Sequence, residues 1–221
     1  MHAAAQNYVL SVLGGRHFGS VVEIGGRDIN GGVSHLFTCD RYVSIDLEPG
    51  PGVDIVADAT EWSPDSPADL VICCEVLEHA PDQQGVIAAA LDWLAPGGQL
   101  VITAGGPGRA PHSGHDGGPP HDGEWYGNLD PDNLKGWLTG CSAVDVQYSA
   151  GPCDVYATAV KGLPVAGGEP VADQSWPKLR TEPEPLTLGL SPEQAAVLAE
   201  HRAAEHLQDQ ARAGYDGQGV R

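Results

Sequence analysis

Residues 20–32, SVVEIGGRDINGG, constrain the fold of this chain more than any other stretch. Val21-Val22-Glu23-Ile24 reads as a short buried strand that runs into a tight turn at Gly25-Gly26. A helix is expected to open near residues 30–34. Strand, glycine turn and helix start together make a place where a nucleotide can approach the backbone, because a Cβ in the turn would hold the ligand off. The dinucleotide fingerprint G-x-G-x-x-G is not met, since Arg27 and Asn30 stand where its second and third glycines belong.

The next hydrophobic segment, Tyr42-Val43-Ser44-Ile45-Asp46, ends in an acid about 20 residues after the glycines. A doubly wound nucleotide fold places the carboxylate that holds the ribose hydroxyls at this point. A third short strand is expected at residues 53–57, followed by Asp58-Ala59. A fourth, at residues 69–74, runs into Glu75-Val76-Leu77-Glu78-His79-Ala80-Pro81-Asp82. A helix over 83–94 carries Val86, Ile87, Ala90, Leu91 and Leu94 on one face. Pro96-Gly97-Gly98 then turns the chain into a fifth strand.

In order and spacing, the E-x-G-G turn, the acid ending the second strand, DLVICCEVLEHAPD and LAPGGQLVIT resemble the class I S-adenosylmethionine-dependent methyltransferases. The resemblance covers about residues 20–161. It implies an α/β, Rossmann-like sheet of seven mostly parallel strands closed by a C-terminal antiparallel hairpin, for which residues 143–148 and 154–160 alternate suitably. It also implies S-adenosyl-L-methionine as cofactor. By the same resemblance Glu23, Gly25 and Gly26 lie near its methionine end and Asp46 takes the ribose. Leu47, Asp58 and Ala59 meet the adenine, and Cys74 and Glu75 stand near the transferable methyl group. Trp62 is a further candidate for the adenine face. His79 belongs to a motif shared across many substrates, so a structural role is expected of it.

Thirty acidic against 11 basic residues give a formal net charge of −19. Such a surface repels a phosphate backbone, so a small-molecule acceptor is expected before a nucleic acid. Five cysteines without a C-x-x-C pair suggest reduced thiols and a cytoplasmic location. Cys73 and Cys74 should point to opposite faces of their strand. Residues 1–15 lack the basic start and apolar run of a signal peptide, and no run has the ~18 apolar residues of a membrane span. Residues 3–13 read as a helix with an apolar stripe of Tyr8, Val9, Val12 and Leu13.

Residues 105–128, GGPGRAPHSGHDGGPPHDGEWYGN, lack any period and follow the carboxyl end of the fifth strand. Loops this long are often lids or binding loops. Three readings stand: a substrate lid in which His115, Asp116 or His112 meets the acceptor as catalytic group, a divalent metal site, or a solvated loop. No His pair has the helical spacing of a rigid metal site, so no metal is assigned. Two readings other than methyl transfer also stand, a nicotinamide-dependent oxidoreductase or epimerase and a non-catalytic binding protein of the same fold.

The domain is expected to span residues 1–162. Residues 163–190 are proline-rich and read as a linker. Ser191-Pro192-Glu193-Gln194 starts a helix within a tail at 191–221, which could join copies into a homo-oligomer.

Overall fold

In the computed structural model, residues 1–163 are described. The expected linker and C-terminal helix, and with them the oligomer they suggested, lie outside the described residues apart from Leu163. A seven-stranded sheet runs in the order β3-β2-β1-β4-β5-β7-β6. Its strands are β1 (His17–Ile24), β2 (Thr38–Asp46), β3 (Ile55–Val56), β4 (Ala68–Cys74), β5 (Leu94–Gly105), β6 (Cys141–Ser149) and β7 (Asp154–Lys161). The first five are parallel, and β7 pairs antiparallel with both β5 and β6. The closing hairpin expected from residues 143–160 is therefore present.

The sheet carries helices on both faces because its central strands are apolar on both. In β4, Leu70, Ile72 and Cys74 pack towards helix α1 (Ala3–Leu13), with Tyr8, Val9, Leu13, Phe18 and Val21. Val71 and Cys73 pack the other way, with Ile87 and Ala90 of α2 (Gln83–Trp93) and Leu134 and Leu138 in and beside α3 (Pro131–Trp137). The two adjacent cysteines thus face opposite layers, and all five cysteines are free. Both later helices have side-chain N-caps: Asp82 accepts from Gly85 N, and Asp130 accepts from Asp132 N and Asn133 N, with Pro131 in the first turn.

The structure differs from expectation in three places. The helix expected near residues 30–34 is only a 3-10 turn, Ser34–Leu36. Asp28 accepts a hydrogen bond from Gly31 N at 2.7 Å, and Gly31 takes φ +97°, so the segment leaves the helical path before a first turn closes. Strand β3 has two residues, because Asp54 directs its carboxylate to Ser44 N at 2.9 Å just before the ladder begins. Strand β5 starts at Leu94, upstream of Pro96-Gly97-Gly98, and absorbs that tripeptide as a register shift opposite β4.

Ile72 is fully buried at the centre of β4. Ile72→Ala should lower unfolding free energy by about 2–5 kcal/mol, read as a fall in the urea midpoint at constant slope.

Candidate active site

A cavity of about 1900 Å³ opens at the carboxyl ends of β1, β2 and β4. The loop 109–125 and the first residues of the chain complete its wall. In this architecture the crevice forms where the chain leaves neighbouring strands in opposite directions, here β1 and β4.

The glycine turn is held from inside the protein. Gly25 N and Gly26 N both donate to the Ile45 carbonyl, at 2.8 and 3.1 Å. Gly25 has φ +74°, and a Cβ there would strike Val76 Cγ2. A Cβ on Gly26 would overlap Ser44 Oγ. Both positions therefore need glycine whether or not a ligand approaches. Glu23, buried beneath the turn, accepts a hydrogen bond from Tyr42 Oη at 2.5 Å, so its resolved partner lies on β2 and not within the glycine loop. Burial raises its pKa to about 7.

Asp46 stands at the end of β2 with both carboxylate oxygens fixed by backbone. Oδ2 accepts from Arg27 N at 3.2 Å and Oδ1 from Glu48 N at 3.1 Å. These bonds set the rotamer and leave acceptor capacity on each oxygen facing the cavity. Leu47 is 69% exposed beside it. Asp58 Oδ1 is engaged by Thr60 N and Thr60 Oγ1, at 2.8 and 2.7 Å, which orients the side chain at the rim, and Ala59 is buried behind it. Trp62 is not at the cavity. It packs edge-on against Trp93, ring centroids 5.2 Å apart, where the short loop after β3 closes on α2.

At the end of β4, Cys74 is buried, and burial raises its thiol pKa. Glu75 takes φ +56°, an uncommon conformation for a non-glycine residue that places it in the cavity wall. Glu75 N donates to the Thr103 carbonyl at 2.7 Å, while its Oε1 accepts from Thr103 Oγ1 at 2.9 Å. Burial works to raise the Glu75 pKa, but His2, Thr103 and Arg109 outweigh it and hold the carboxyl below its usual range.

Sequence reasoning missed the group that closes this end of the cavity. His2 Nε2 lies 2.8 Å from Asp154 Oδ2 and 3.4 Å from Glu75 Oε2. Arg109 Nη1 meets Asp154 Oδ1 at 3.0 Å, and Tyr156 Oη donates to Asp154 Oδ2 at 2.8 Å. Burial opposes charge on His2, yet the hydrogen bonds to Asp154 and Glu75 raise its pKa to about 9. These residues are up to 152 positions apart, from His2 to Asp154, and no local motif joins them.

The loop residues divide. His112 and His115 line the cavity. Asp116 does not, because its oxygens accept from Gly118 N at 2.8 Å and pair with His121 at 3.2 Å, and so shape the loop. His115 is itself engaged, with Nδ1 3.2 Å from Glu48 and Nε2 3.3 Å from Glu124. Arg27, which stands in place of a motif glycine, pairs with Glu48 and donates to the Gly114 carbonyl at 3.3 Å. The loop is thereby tied to the glycine turn across the cavity mouth. His79 packs edge-on against His112 and Tyr126, at 4.9 and 5.4 Å. Burial, aided by His112, lowers its pKa to about 4. Glu78 behind it is fully buried, and burial with the nearby Glu75 charge raises its pKa to about 8.

Gly26→Ala should unfold at a lower temperature and lose ligand binding at the cavity, because Ser44 or the turn must move; thermal melts with and without S-adenosylhomocysteine check both. For His2, the folded pKa of about 9 lies above the ordinary 6.5, so its contribution is full below pH 6.5 and lost as pH rises through 9. The melting-temperature gap between wild type and His2→Gln should therefore be widest near pH 6.5 and close towards pH 10. The groups that face it are Glu75, Asp154, Arg109 and, through Asp154, Tyr156.

Residues 6–139 match the family model described as a methyltransferase domain. A ubiquinone biosynthesis O-methyltransferase of Pectobacterium atrosepticum is 40% identical over 60 residues, which span 26% of this chain and 25% of that protein. A trans-aconitate 2-methyltransferase of Streptomyces coelicolor is 38% identical over 55 residues, 25% of this chain and 18% of that protein. The alignments thus span a quarter or less of these relatives' length. Among solved structures, the 1,6-didemethyltoxoflavin-N1-methyltransferase of Burkholderia thailandensis, with bound 1,6-didemethyltoxoflavin and S-adenosylhomocysteine, superposes with a TM-score of 0.53 at 17% identity, covering 72% of this chain and 79% of that one. A complex of DhpI with S-adenosylhomocysteine gives 0.52 at 20% identity, covering 72% and 83%. At that identity the structures share the fold. The model match spans more than half of the chain, and with this sheet order it places the protein in the methyltransferase domain family, with the fold of the class I S-adenosylmethionine-dependent enzymes.

Proposed function

We propose that this protein transfers a methyl group from S-adenosyl-L-methionine to a small-molecule acceptor. The observation that carries the reading is the Asp46 carboxylate, fixed by two backbone N–H groups at the end of β2 and facing the cavity beside the Gly25-Gly26 turn. The residues fit the cofactor: a glycine turn without side chains, a carboxylate for a ribose diol, and Asp58 with Ala59 at the rim for an adenine edge.

When bound, S-adenosylmethionine supplies an electrophilic methyl group on a sulfonium. The protein's part is to position and desolvate the two reactants. Gly25 and Gly26 let the methionine portion lie on backbone, with Glu23 beneath. Cys74 and Glu75 bound the cavity where the methyl group would point, and the negative Glu75 favours a sulfonium there. His112 and His115 are the loop groups placed to meet an acceptor, whereas Asp116 supports them.

A small acceptor is favoured by the net charge of −19 and by a cavity that the loop covers. The ubiquinone-pathway and trans-aconitate relatives carry names of small-molecule methyltransferases, which supports the same class. The family match and the antiparallel β7-β6 ending set aside the nicotinamide oxidoreductase reading. Calorimetric titration with S-adenosylhomocysteine should give micromolar binding. Asp46→Ala should weaken it by roughly tenfold to a hundredfold, as expected for losing hydrogen bonds to a charged group. Absence of binding to the wild type would sink the proposal.

A further inference from the structure

Glu78 lies in the 3-10 turn Leu77–His79 that follows β4. It is fully buried, and neither carboxylate oxygen has a hydrogen-bond partner. The backbone N–H groups of Glu78 and Gly105 approach it without closing a normal hydrogen bond. Carboxylates this buried are ordinarily paired or coordinate a cation.

Two imidazoles stand against it. One ligand atom from each of Glu78, His79 and His112 lies within 4.8 Å of the others. A tetrahedral ion with bonds of ~2.0–2.2 Å holds its ligands ~3.3–3.6 Å apart, so the side chains must rotate inward by roughly 1 Å to close the set. The residues come from two elements: the turn supplies Glu78 and His79, and the loop over the cavity supplies His112. Tyr126 packs against both imidazole rings, at 5.4 and 5.0 Å, and limits their orientations. Gly105 keeps the neighbouring space open, since a Cβ there would come within 2.7 Å of Tyr126 Oη and 3.4 Å of Glu78 Oε1. The other His–carboxylate contacts of the loop differ, because Asp116 and Glu124 already accept from backbone N–H groups or Ser113.

We propose that Glu78, His79 and His112 bind one divalent first-row transition-metal ion. One carboxylate with two imidazoles is a donor set for zinc, iron or manganese, and the imidazoles disfavour magnesium. The ion balances the orphaned carboxylate and ties the loop to the turn after β4. His79 and His112 line the cavity, so its remaining coordination positions face the space assigned to the acceptor. An acceptor oxygen or nitrogen is the group that would fill them. Binding of the ion itself does not depend on the methyl-transfer reading.

The test uses the full chain, stripped with a chelator and titrated calorimetrically with Zn²⁺, Mn²⁺ or Mg²⁺ alone. S-adenosylhomocysteine titrated into the same stripped sample reports separately on the cofactor site. One Zn²⁺ per chain is expected, bound more tightly than Mn²⁺ and far more tightly than Mg²⁺. His112→Ala and Glu78→Gln should each weaken Zn²⁺ by at least about tenfold, while His121→Ala leaves it unchanged. If Glu78→Gln does not fold, the loop variant His112→Ala decides. No Zn²⁺ binding, or binding that persists in His112→Ala, overturns the proposal even where S-adenosylhomocysteine binds normally.

Discussion

Strands β1 and β4 lie side by side, and everything functional in this protein depends on that pairing. The chain leaves β1 towards β2 and β3 on one side, and leaves β4 towards β5 and the closing hairpin on the other. No crossover covers the carboxyl ends where the two paths diverge, so a crevice is unavoidable there. Burial of β1 and β4 on both faces makes the pair rigid. The turns that leave them, Gly25-Gly26 and Glu75, inherit that rigidity. Each turn adopts a positive φ, at +74° for Gly25 and +56° for Glu75. The glycine adopts it without penalty, whereas for Glu75 it costs about 1–2 kcal/mol, offset by the Thr103 hydrogen bonds that hold it.

Negative charge is managed differently at the two ends of the crevice. At the β2 end, Asp46 is partly exposed and held by backbone N–H groups, a setting that leaves it available to a neutral diol. At the β4 end, Asp154 is buried and Glu75 half-buried, and they share His2 and Arg109 as counter-charges. Glu78, three residues further on, feels Glu75 and Arg109 but makes no hydrogen bond to either. With His2 and Arg109 bonded to Asp154, Glu78 is left without a hydrogen-bond partner and faces the imidazoles of His79 and His112. The same short peptide thus carries one carboxyl group held ionised by its partners and one without a hydrogen-bond partner, which burial pushes towards the neutral form.

The seven-stranded sheet and its hairpin were legible through the family resemblance, whose motifs stand where apolar runs end in turn signals. The placement of Asp46 and Asp58 at the cavity was legible, since Asp46 ends β2 and Asp58 is the first polar residue after β3. The helix after the glycine turn was misread. Ile29, Val33, Leu36 and Phe37 keep a helical spacing, whereas the Asp28–Gly31 hydrogen bond that breaks the helix is one local contact. Trp62 was assigned to the cavity from proximity in sequence to Asp58, yet Trp93 offers it a dry neighbour. The His2, Glu75, Arg109 and Asp154 cluster could not have been read, because its members are assembled by the sheet and separated along the chain.

The loop over the cavity shows how a segment without periodicity can still be ordered. Gly and Pro give it no apolar face, so its position is set by polar contacts at three points. Arg27 with Glu48 and the Gly114 carbonyl anchors one side, His115 bridges Glu48 to Glu124 in the middle, and Arg109 with Asp154 anchors its start. The first two anchors are partly exposed and weak individually, and salt screens them. The third is half in the core, with Asp154 fully buried, and is much harder to break. Opening is therefore easiest on the side of the glycine turn. Arg27 and Glu48 donate there the two backbone hydrogen bonds that hold Asp46, and their side chains pair with each other. The Arg27 that spoils the dinucleotide motif thus joins the glycine turn to the loop.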